Sequence, residues 1–223
     1  MSEASTLTGI LASAAPGAGF VRTRWWWVRH APVRVDEGRI YGQKDLPCDC
    51  SDAGIFAGLA ARLPRKATWI TSNLIRTHQT AAAIWAASSE PPPEWRQERD
   101  FAEQNFGDWQ GLDRETFMKS RVQEPDAYWY APADERAPNG ESFVDLTVRV
   151  SAAIERITQE HEGADIIAVA HGGTIRAALA LALGLPPRGG LAFTTDNCAL
   201  TLLDHYRTPG RSAWRVVMVN WLP

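Results

Sequence analysis

The stretch Trp25-Trp26-Trp27-Val28-Arg29-His30-Ala31-Pro32 leaves a chain few options. Four consecutive aromatic or branched side chains have the bulk of a strand and fix it in a core, and Pro32 prevents simple continuation of the ladder. Arg29 and His30 therefore project from a rigid terminus, which suits a site that needs its groups held in place. From these eight residues alone, a buried strand with a snorkelling arginine and a satisfied histidine is the leading account of the pair.

Two later runs repeat the pattern. Ala67-Thr68-Trp69-Ile70-Thr71 reads as a second strand, followed by Ser72 to Ile75 and a helix from Arg76 to Trp85 that stops near Ser88-Ser89. Asp165-Ile166-Ile167-Ala168-Val169-Ala170 is a continuous apolar run of the kind buried on both faces, and it ends in His171-Gly172-Gly173 before an Ala/Leu helix from Thr174 to Leu183. Between them lie a helix from Ile55 to Leu63 with Ser51 as its N-cap and a surface turn at Pro91-Pro92-Pro93. Further on come a helix from Arg114 to Tyr130 and an amphipathic helix from about Phe143 to His161. Ala199 to Leu203 and Trp214 to Val219 form a closing hairpin or adjacent edge pair.

Length and composition bound the rest. At 223 residues and 45% hydrophobic the chain can bury one sizeable core, which favours a single α/β domain over residues 25–223. The Ala/Ser/Gly/Thr-rich residues 1–24 read as a disordered leader, and with Glu3 as the only early charge they lack the basic start of a secretory signal. Three cysteines, Cys48, Cys50 and Cys198, make neither an even disulfide framework nor a zinc pattern, and they point to a reducing, cytoplasmic setting as small semi-buried residues. A formal net charge of −3 gives no general attraction to nucleic acid or acidic membrane, and no apolar run approaches the roughly 20 residues that span a bilayer.

In open α/β sheets ligands sit outside the carboxyl ends of the strands, so Arg29-His30, Ser72 to Arg76 and His171-Gly172-Gly173 should converge on one site. Two His, two Arg and a glycine-flanked helix start make a strong anion pocket, and phosphate fits its charge and geometry. Here the motifs resemble a known family. Arg29-His30-Ala31 is similar to the R-H-G signature of the histidine phosphatase superfamily, the phosphoglycerate mutase-like enzymes. Thr71 to Ala81 resembles its second block, and Glu103 to Gly111 its E-x-x-F-G-x-W-x-G block. Pro138-Asn139-Gly140-Glu141-Ser142 and Ala170 to Arg176 complete the series in the family's order. The departures are Ala31, which suggests slightly less room beside the phosphate, and Cys50-Ser51, where Leu precedes the Ser or Thr.

The resemblance implies a three-layer α/β/α sandwich with a mostly parallel central sheet and an antiparallel edge strand. It also implies a phosphomonoester hydrolase of the phosphatase branch, without cofactor or metal, acting on a small phosphorylated metabolite. His30 is then the phosphoryl acceptor, Arg29 and Arg76 grip phosphoryl oxygens, His171 donates to the transferring group, and Glu103 serves as general acid and later as base. The Gly172 backbone adds an amide donor, and Tyr41, Gly42 and Ser72 are further contacts to substrate. Taken without the resemblance, Glu103 reads as a surface loop carboxylate and Arg76 as either a helix-surface charge or a ligand.

Other candidates carry less. His78 reads as an exposed helix residue, His161 and His205 as surface residues, Asn139 and Glu141 as rim-ordering groups, and Trp129 with its tyrosine neighbours as either lid or core. Two readings of the activity compete with hydrolysis: phosphoglycerate mutase-type transfer and an α-ribazole phosphatase-like role in cobalamin synthesis. The short segment from Gly111 to Pro138 favours hydrolysis over the mutase. A metallohydrolase using His30, His78, His171 and Glu103 lacks helical ligand spacing. A phospholigand-binding module without catalysis would not need the full set of two Arg, two His and Glu. The partner expected is a small phosphomonoester, with no nucleic acid or membrane, and a second copy of the chain is the one protein partner allowed for.

Overall fold

Side chains of a strand alternate between faces, and the first strand uses both for core. In the structure, a computed structural model that describes residues 19–88, 94–121 and 129–223, β1 (Val21–Arg29) sends Trp25 and Trp27 into one apolar cluster and Trp26 and Val28 into another. Trp25 and Trp27 stack on that shared face with ring centroids 5.1 Å apart. A buried tryptophan removes about 150–250 Å² from water, so at roughly 25 cal/mol per Å² each of the three is worth about 5 kcal/mol of transfer free energy. β1 begins at Val21, four residues ahead of the expected start of the domain at Trp25, because its first residues pair with Tyr206 and Arg207 of a strand longer than the hairpin motif suggested. Residues 1–18 and the Pro91-Pro92-Pro93 turn lie outside the described residues.

The elements that follow are α1 (Ala53–Arg62), β2 (Thr68–Thr71), α2 (Ile75–Ala87), β3 (Trp95–Gln97), α3 (Arg114–Lys119) and α4 (Phe143–Glu160). β4 (Asp165–Ala170), α5 (Gly172–Leu183), the short α6 (Pro187–Gly190), β5 (Leu200–Thr208) and β6 (Arg211–Trp221) complete the chain. The strands form one sheet in the order β3-β2-β4-β1-β5-β6. β3, β2, β4 and β1 run parallel, and β5 runs against β1 and β6 against β5. The antiparallel strand is thus one in from the edge, and β6 covers it through a turn at Gly210, where φ is +77°.

Helices cover both faces. Phe56 and Leu59 of α1 and Ala81 and Ile84 of α2 pack with Trp26, Val28, Ile167 and Val169 on one side. Leu146, Val150, Ile154 and Ile157 of α4 and Ile175, Ala178 and Leu179 of α5 pack with Trp25, Trp27, Ile166 and Ala168 on the other. β4 feeds alternate residues to the two layers, as a fully covered central strand does.

Local signals differ from expectation at three points. Asp52 rather than Ser51 caps α1, its Oδ1 accepting from the amides of Gly54 and Ile55 at 3.1 and 3.2 Å. The helix expected from Arg114 to Tyr130 ends at Lys119. Residues 122–128 lie outside the described set, and Trp129 and Tyr130 belong to a loop whose rings pack on Phe106 rather than to a continuing helix. α5 starts at Gly172 instead of Thr174, which puts both glycines in its first turn. Among the described residues no helix is long and apolar enough to cross a membrane.

Candidate active site

β2, β4 and β1 are neighbours and run parallel, so their carboxyl ends open at one edge of the sheet. His30, Ser72 and His171 each follow directly on one of these ends, and the rings of His30 and His171 lie 5.1 Å apart. The expected convergence of Arg29-His30, Ser72 to Arg76 and His171-Gly172-Gly173 is what the topology produces.

His30 is buried, and its orientation is set from both sides. Its amide donates to the Ala170 carbonyl at 3.0 Å, its carbonyl accepts from Asn197 Nδ2 at 2.7 Å, and its Nδ1 meets the Ala31 carbonyl at 2.7 Å. A carbonyl only accepts, so Nδ1 carries the proton and Nε2 keeps the lone pair. Burial, then the charges of Arg76 and Arg29, hold the imidazole well below its ordinary pKa, against a smaller opposing contribution from the Ala31 hydrogen bond. The ring is neutral at neutral pH, with Nε2 available as a nucleophile. The Ala31 methyl is fully buried in the apolar cluster shared with α1 and α2, and the Ala31 amide donates to Thr80 Oγ1 at 2.8 Å.

Arg76 is fully buried in the first turn of α2 and has no carboxylate within 4.0 Å among the described residues. Its Nη1 donates to the Lys44 carbonyl at 2.9 Å, its Nη2 to the Gly42 carbonyl at 2.7 Å, and its Nε to His171 Nδ1 at 3.3 Å. The guanidinium lies over the Tyr41 ring, 5.1 Å from its centroid. Gly42 is required for this arrangement, since its φ is +47° and a Cβ there would sit 2.5 Å from Gln110 Oε1. Tyr41 and Gly42, expected as substrate contacts, both touch Arg76. Two of the five guanidinium N–H groups have no assigned partner and can still meet an anion.

His171, expected as a donor to the transferring group, is bonded within the protein at both ring nitrogens. Arg76 Nε can only donate, so His171 Nδ1 accepts and Nε2–H donates to Ser72 Oγ at 2.8 Å. Both ring nitrogens are engaged within the protein, and the ring orients Arg76. Ser72, expected to touch substrate, is fully buried in the same chain of bonds, where its hydroxyl also lies 3.2 Å from Thr77 Oγ1. Burial and the charges of Arg76, His30 and Arg29 keep His171 well below its ordinary pKa.

Glu103 is not a surface loop carboxylate. It is buried at the start of α5, where Oε1 accepts from the Gln104 and Gly173 amides at 2.9 and 3.1 Å. A Cβ at Gly173 would come within 2.4 Å of that oxygen, so only glycine lets the carboxylate reach the helix. Arg149 of α4 holds the preceding loop by donating to the carbonyls of Asp100, Ala102 and Glu103 at 2.7, 3.0 and 3.1 Å, and its bidentate pair with Glu141 ties the 138–142 loop to the same point. Glu141 also accepts from the Asn105 amide, and Asn139 Nδ2 donates to Asp108.

Of the other histidines, His78 is half-buried and bonded to the Ser72 carbonyl at 2.8 Å rather than exposed. His161 meets Thr68 Oγ1 at 3.4 Å, and His205 packs on Trp214 with ring centroids 4.6 Å apart, remote from the site. Cys48 and Cys50 are half-buried, with sulfurs 3.6 Å apart, and burial pushes the Cys50 and Cys198 thiols up to about 12. Among the described residues no three of His, Cys, Asp and Glu gather where they could hold one metal ion.

Arg176, Thr195, Asn197, Gln104 and Arg149 escaped assignment from sequence. Arg176 follows Gly172 by one helical turn, a spacing that places both over the same rim. Gln104 sits inside the Glu103 block, and the other three come from segments with no local signal for the site. Arg29 Nη1 donates to the Thr195 carbonyl, while Arg29 Nε and Thr195 Oγ1 are buried without a partner among the described residues.

Comparison with known proteins adds lineage to this geometry. Residues 25–221 match the family model described as histidine phosphatase superfamily (branch 1). The chain is 29% identical over 207 residues to the bifunctional protein Rv2228c of Mycobacterium tuberculosis, covering 90% of this chain and 55% of that one. It thus spans about half the length of the first curated relatives it matches. It is 28% identical to a probable phosphoglycerate mutase GpmB of Serratia proteamaculans, over 85% of this chain and 88% of the relative. The structure of the mycobacterial glucosyl-3-phosphoglycerate phosphatase Rv2419c superposes with a TM-score of 0.75 at 23% identity, over 89% of this chain and 99% of that one, and shows the shared fold.

Proposed function

Because the chain belongs to the histidine phosphatase superfamily, branch 1, we propose that it hydrolyses phosphomonoesters of small metabolites through a phosphohistidine at His30. One observation carries the reading. Arg29 and Arg76 lie beside a neutral, tautomerically fixed imidazole whose pKa both their charges lower, and neither has a carboxylate within 4.0 Å among the described residues. A buried charge without a counterion costs several kcal/mol, and a phosphoryl group would supply the missing charge.

In the proposed reaction His30 Nε2 attacks phosphorus in line with the ester oxygen, the P–O bond breaks, and the leaving alkoxide takes a proton from Glu103. Water then attacks the phosphohistidine, giving a proton to the Glu103 carboxylate as the P–N bond breaks. Phosphate leaves, and both residues are restored. Arg29 and Arg76 offset the charge on the equatorial oxygens, while the His171 and Ser72 chain and the Gly42 and Lys44 carbonyls keep Arg76 from turning away. The Gly172 amide lies in the first turn of α5, where N–H groups have no intrahelical acceptor, and is a further donor. Transfer to a second acceptor, as in a mutase, uses the same His30 chemistry and differs only in retaining the phosphoryl group.

The test is a screen of phosphomonoesters for released phosphate, with protein denatured in alkaline detergent and assayed for an alkali-stable, acid-labile phosphoryl group. Phosphate release with a labelled enzyme is the expected result. Labelled enzyme with isomerised phosphoglycerate and no net phosphate would install the mutase reading instead, and no label with any ester would remove both.

The two neutral histidines also set a pH dependence of stability. Their pKa values are depressed on folding, so above the ordinary value of 6.5 they contribute no slope. Below it the unfolded chain takes up protons that the native state refuses, and stability falls as pH drops towards the depressed values. The slope approaches ~1.4 kcal/mol per pH unit for each histidine. Urea unfolding from pH 7.5 to 5.5 should show this loss, and His30→Asn should reduce it. Equal slopes in the two proteins would show that His30 charges as readily folded as unfolded.

A further inference from the structure

Resting on the hydrolase reading above, we propose that Gln43 is a positioning residue that couples the phosphoryl clamp to the proton donor, setting Glu103 in place relative to Arg76. The observation is a single turn that reaches both. The Lys44 amide donates to the Tyr41 carbonyl at 2.7 Å, closing a four-residue turn, and Gly42 supplies the positive φ of +47° at its second position. Three of its residues touch Arg76: the Tyr41 ring lies against the guanidinium, and the Gly42 and Lys44 carbonyls accept from Nη2 and Nη1. The remaining residue reaches the acid. Gln43 Nε2 donates to the Glu103 carbonyl at 2.8 Å, and the Gln43 amide donates to Gln110 Oε1 at 2.7 Å.

The turn is anchored before it meets Glu103. Asp45, the next residue, accepts from the Ile75 amide through Oδ1 at 2.6 Å, which registers the turn on the start of α2, the helix that carries Arg76. The segment it meets is held almost wholly by side chains. Arg149 takes the carbonyls of Asp100, Ala102 and Glu103, and Thr174 Oγ1 lies 3.0 and 3.3 Å from those of Phe101 and Ala102. Arg149 and Thr174 belong to α4 and α5, which cover one face of the sheet, whereas α2 covers the other. Gln43 reaches the Glu103 carbonyl from the α2 side and so ties the two layers together at the acid.

Arg76 and Glu103 are then joined twice. At the start of α5, His171 Nδ1 accepts from Arg76 Nε and the Gly173 amide donates to the Glu103 carboxylate. At the turn, the two carbonyls hold the other end of the guanidinium and Gln43 holds the Glu103 main chain. One link fixes the tip of the acid and the other its base, and together they set where the carboxyl presents its proton. A displacement of about 1 Å at a reacting group can cost roughly 10²-fold in rate, so a bond of little worth to stability can matter to proton transfer. The Gln43 side-chain amide meets a main-chain carbonyl and no reacting group, so its influence runs through Glu103.

The experiment is a double-mutant cycle between Gln43 and Glu103. Gln43→Met keeps the length of the side chain and removes the donor. On the alkyl ester that the wild type hydrolyses fastest, kcat should fall about tenfold, and on p-nitrophenyl phosphate, whose leaving group needs no proton, about twofold or less. KM and inhibition by inorganic phosphate should change by less than about twofold, because Arg76 keeps its carbonyl partners. In the Glu103→Gln background the same substitution should slow the alkyl ester by less than about twofold, since the proton it positions is already gone. Equal losses on the two esters, an additive loss in the Glu103→Gln protein, or a Gln43→Met enzyme as fast as the parent would overturn the role of Gln43 and leave the hydrolase reading standing. Should Gln43→Met not fold, Gln43→Asn, which withdraws the same amide from the carbonyl, is read by the same cycle and the same outcomes. A wild type that releases phosphate from no alkyl ester would remove the small-metabolite hydrolase reading, and this one with it.

Discussion

Replacing His30 with alanine is expected to lower phosphate release from p-nitrophenyl phosphate by about 10⁴-fold or more, with no phosphoryl group trapped on the protein. The reason is specific to this imidazole. Its Nδ1 is committed to the Ala31 carbonyl, so Nε2 is the one lone pair aimed into the cluster of guanidiniums, and no neighbouring group can take its place: both nitrogens of His171 are engaged by Arg76 and Ser72. The substitution leaves a small cavity at the end of β1, so thermal unfolding of the variant must be followed alongside. A folded His30→Ala protein that turns over within tenfold of the parent rate would end the phosphohistidine mechanism.

Glu103→Gln should separate substrates by their leaving groups. The amide oxygen of glutamine can keep the bonds from the Gln104 and Gly173 amides, so the loop should hold its place while the transferable proton is lost. Alkyl esters such as glycerol 3-phosphate are expected to slow by about 10²–10³-fold, and p-nitrophenyl phosphate, whose phenolate departs without help, by no more than about tenfold. Gly173→Ala is a companion test, because its Cβ would overlap Glu103 Oε1 at 2.4 Å and displace a chemically intact carboxylate. The same leaving-group pattern in both variants would tie the proton to the position of Glu103. Uniform losses across all esters would take the acid role from it.

Particular residues show why the site was half legible in advance. His30, Arg29 and His171 sit at strand ends, where an apolar run meeting a polar group is visible in the chain, and parallel strand order brings such ends together. Glu103 lies in irregular backbone and was recognisable only through its flanking block. Thr195 and Asn197 lie far along the chain, before a strand whose direction and depth in the sheet brought them under Arg29 and His30, and nothing local announces that. The bracing contacts of Ser72 and Tyr41 were not legible for one reason: a residue near a site looks alike in sequence whether it faces the substrate or braces a neighbour.

The sequence by itself determined the layers and the strand end that carries Arg29 and His30. The two-residue alternation of Trp25 to Val28 demanded cover on both faces, the run from Ile166 to Val169 demanded the same, and Arg29-His30 at the end of such a strand had one edge of the sheet at which to emerge. Only the tertiary structure decided which groups are free to act. Hydrogen-bond capacity is finite: once Ser72 and Arg76 occupy His171, and Gly42 and Lys44 occupy Arg76, the site's remaining donors are fixed by three-dimensional neighbours that sequence separation conceals. That accounting engaged both nitrogens of His171 and brought Asn197 and Arg149 into the surroundings of His30 and Glu103.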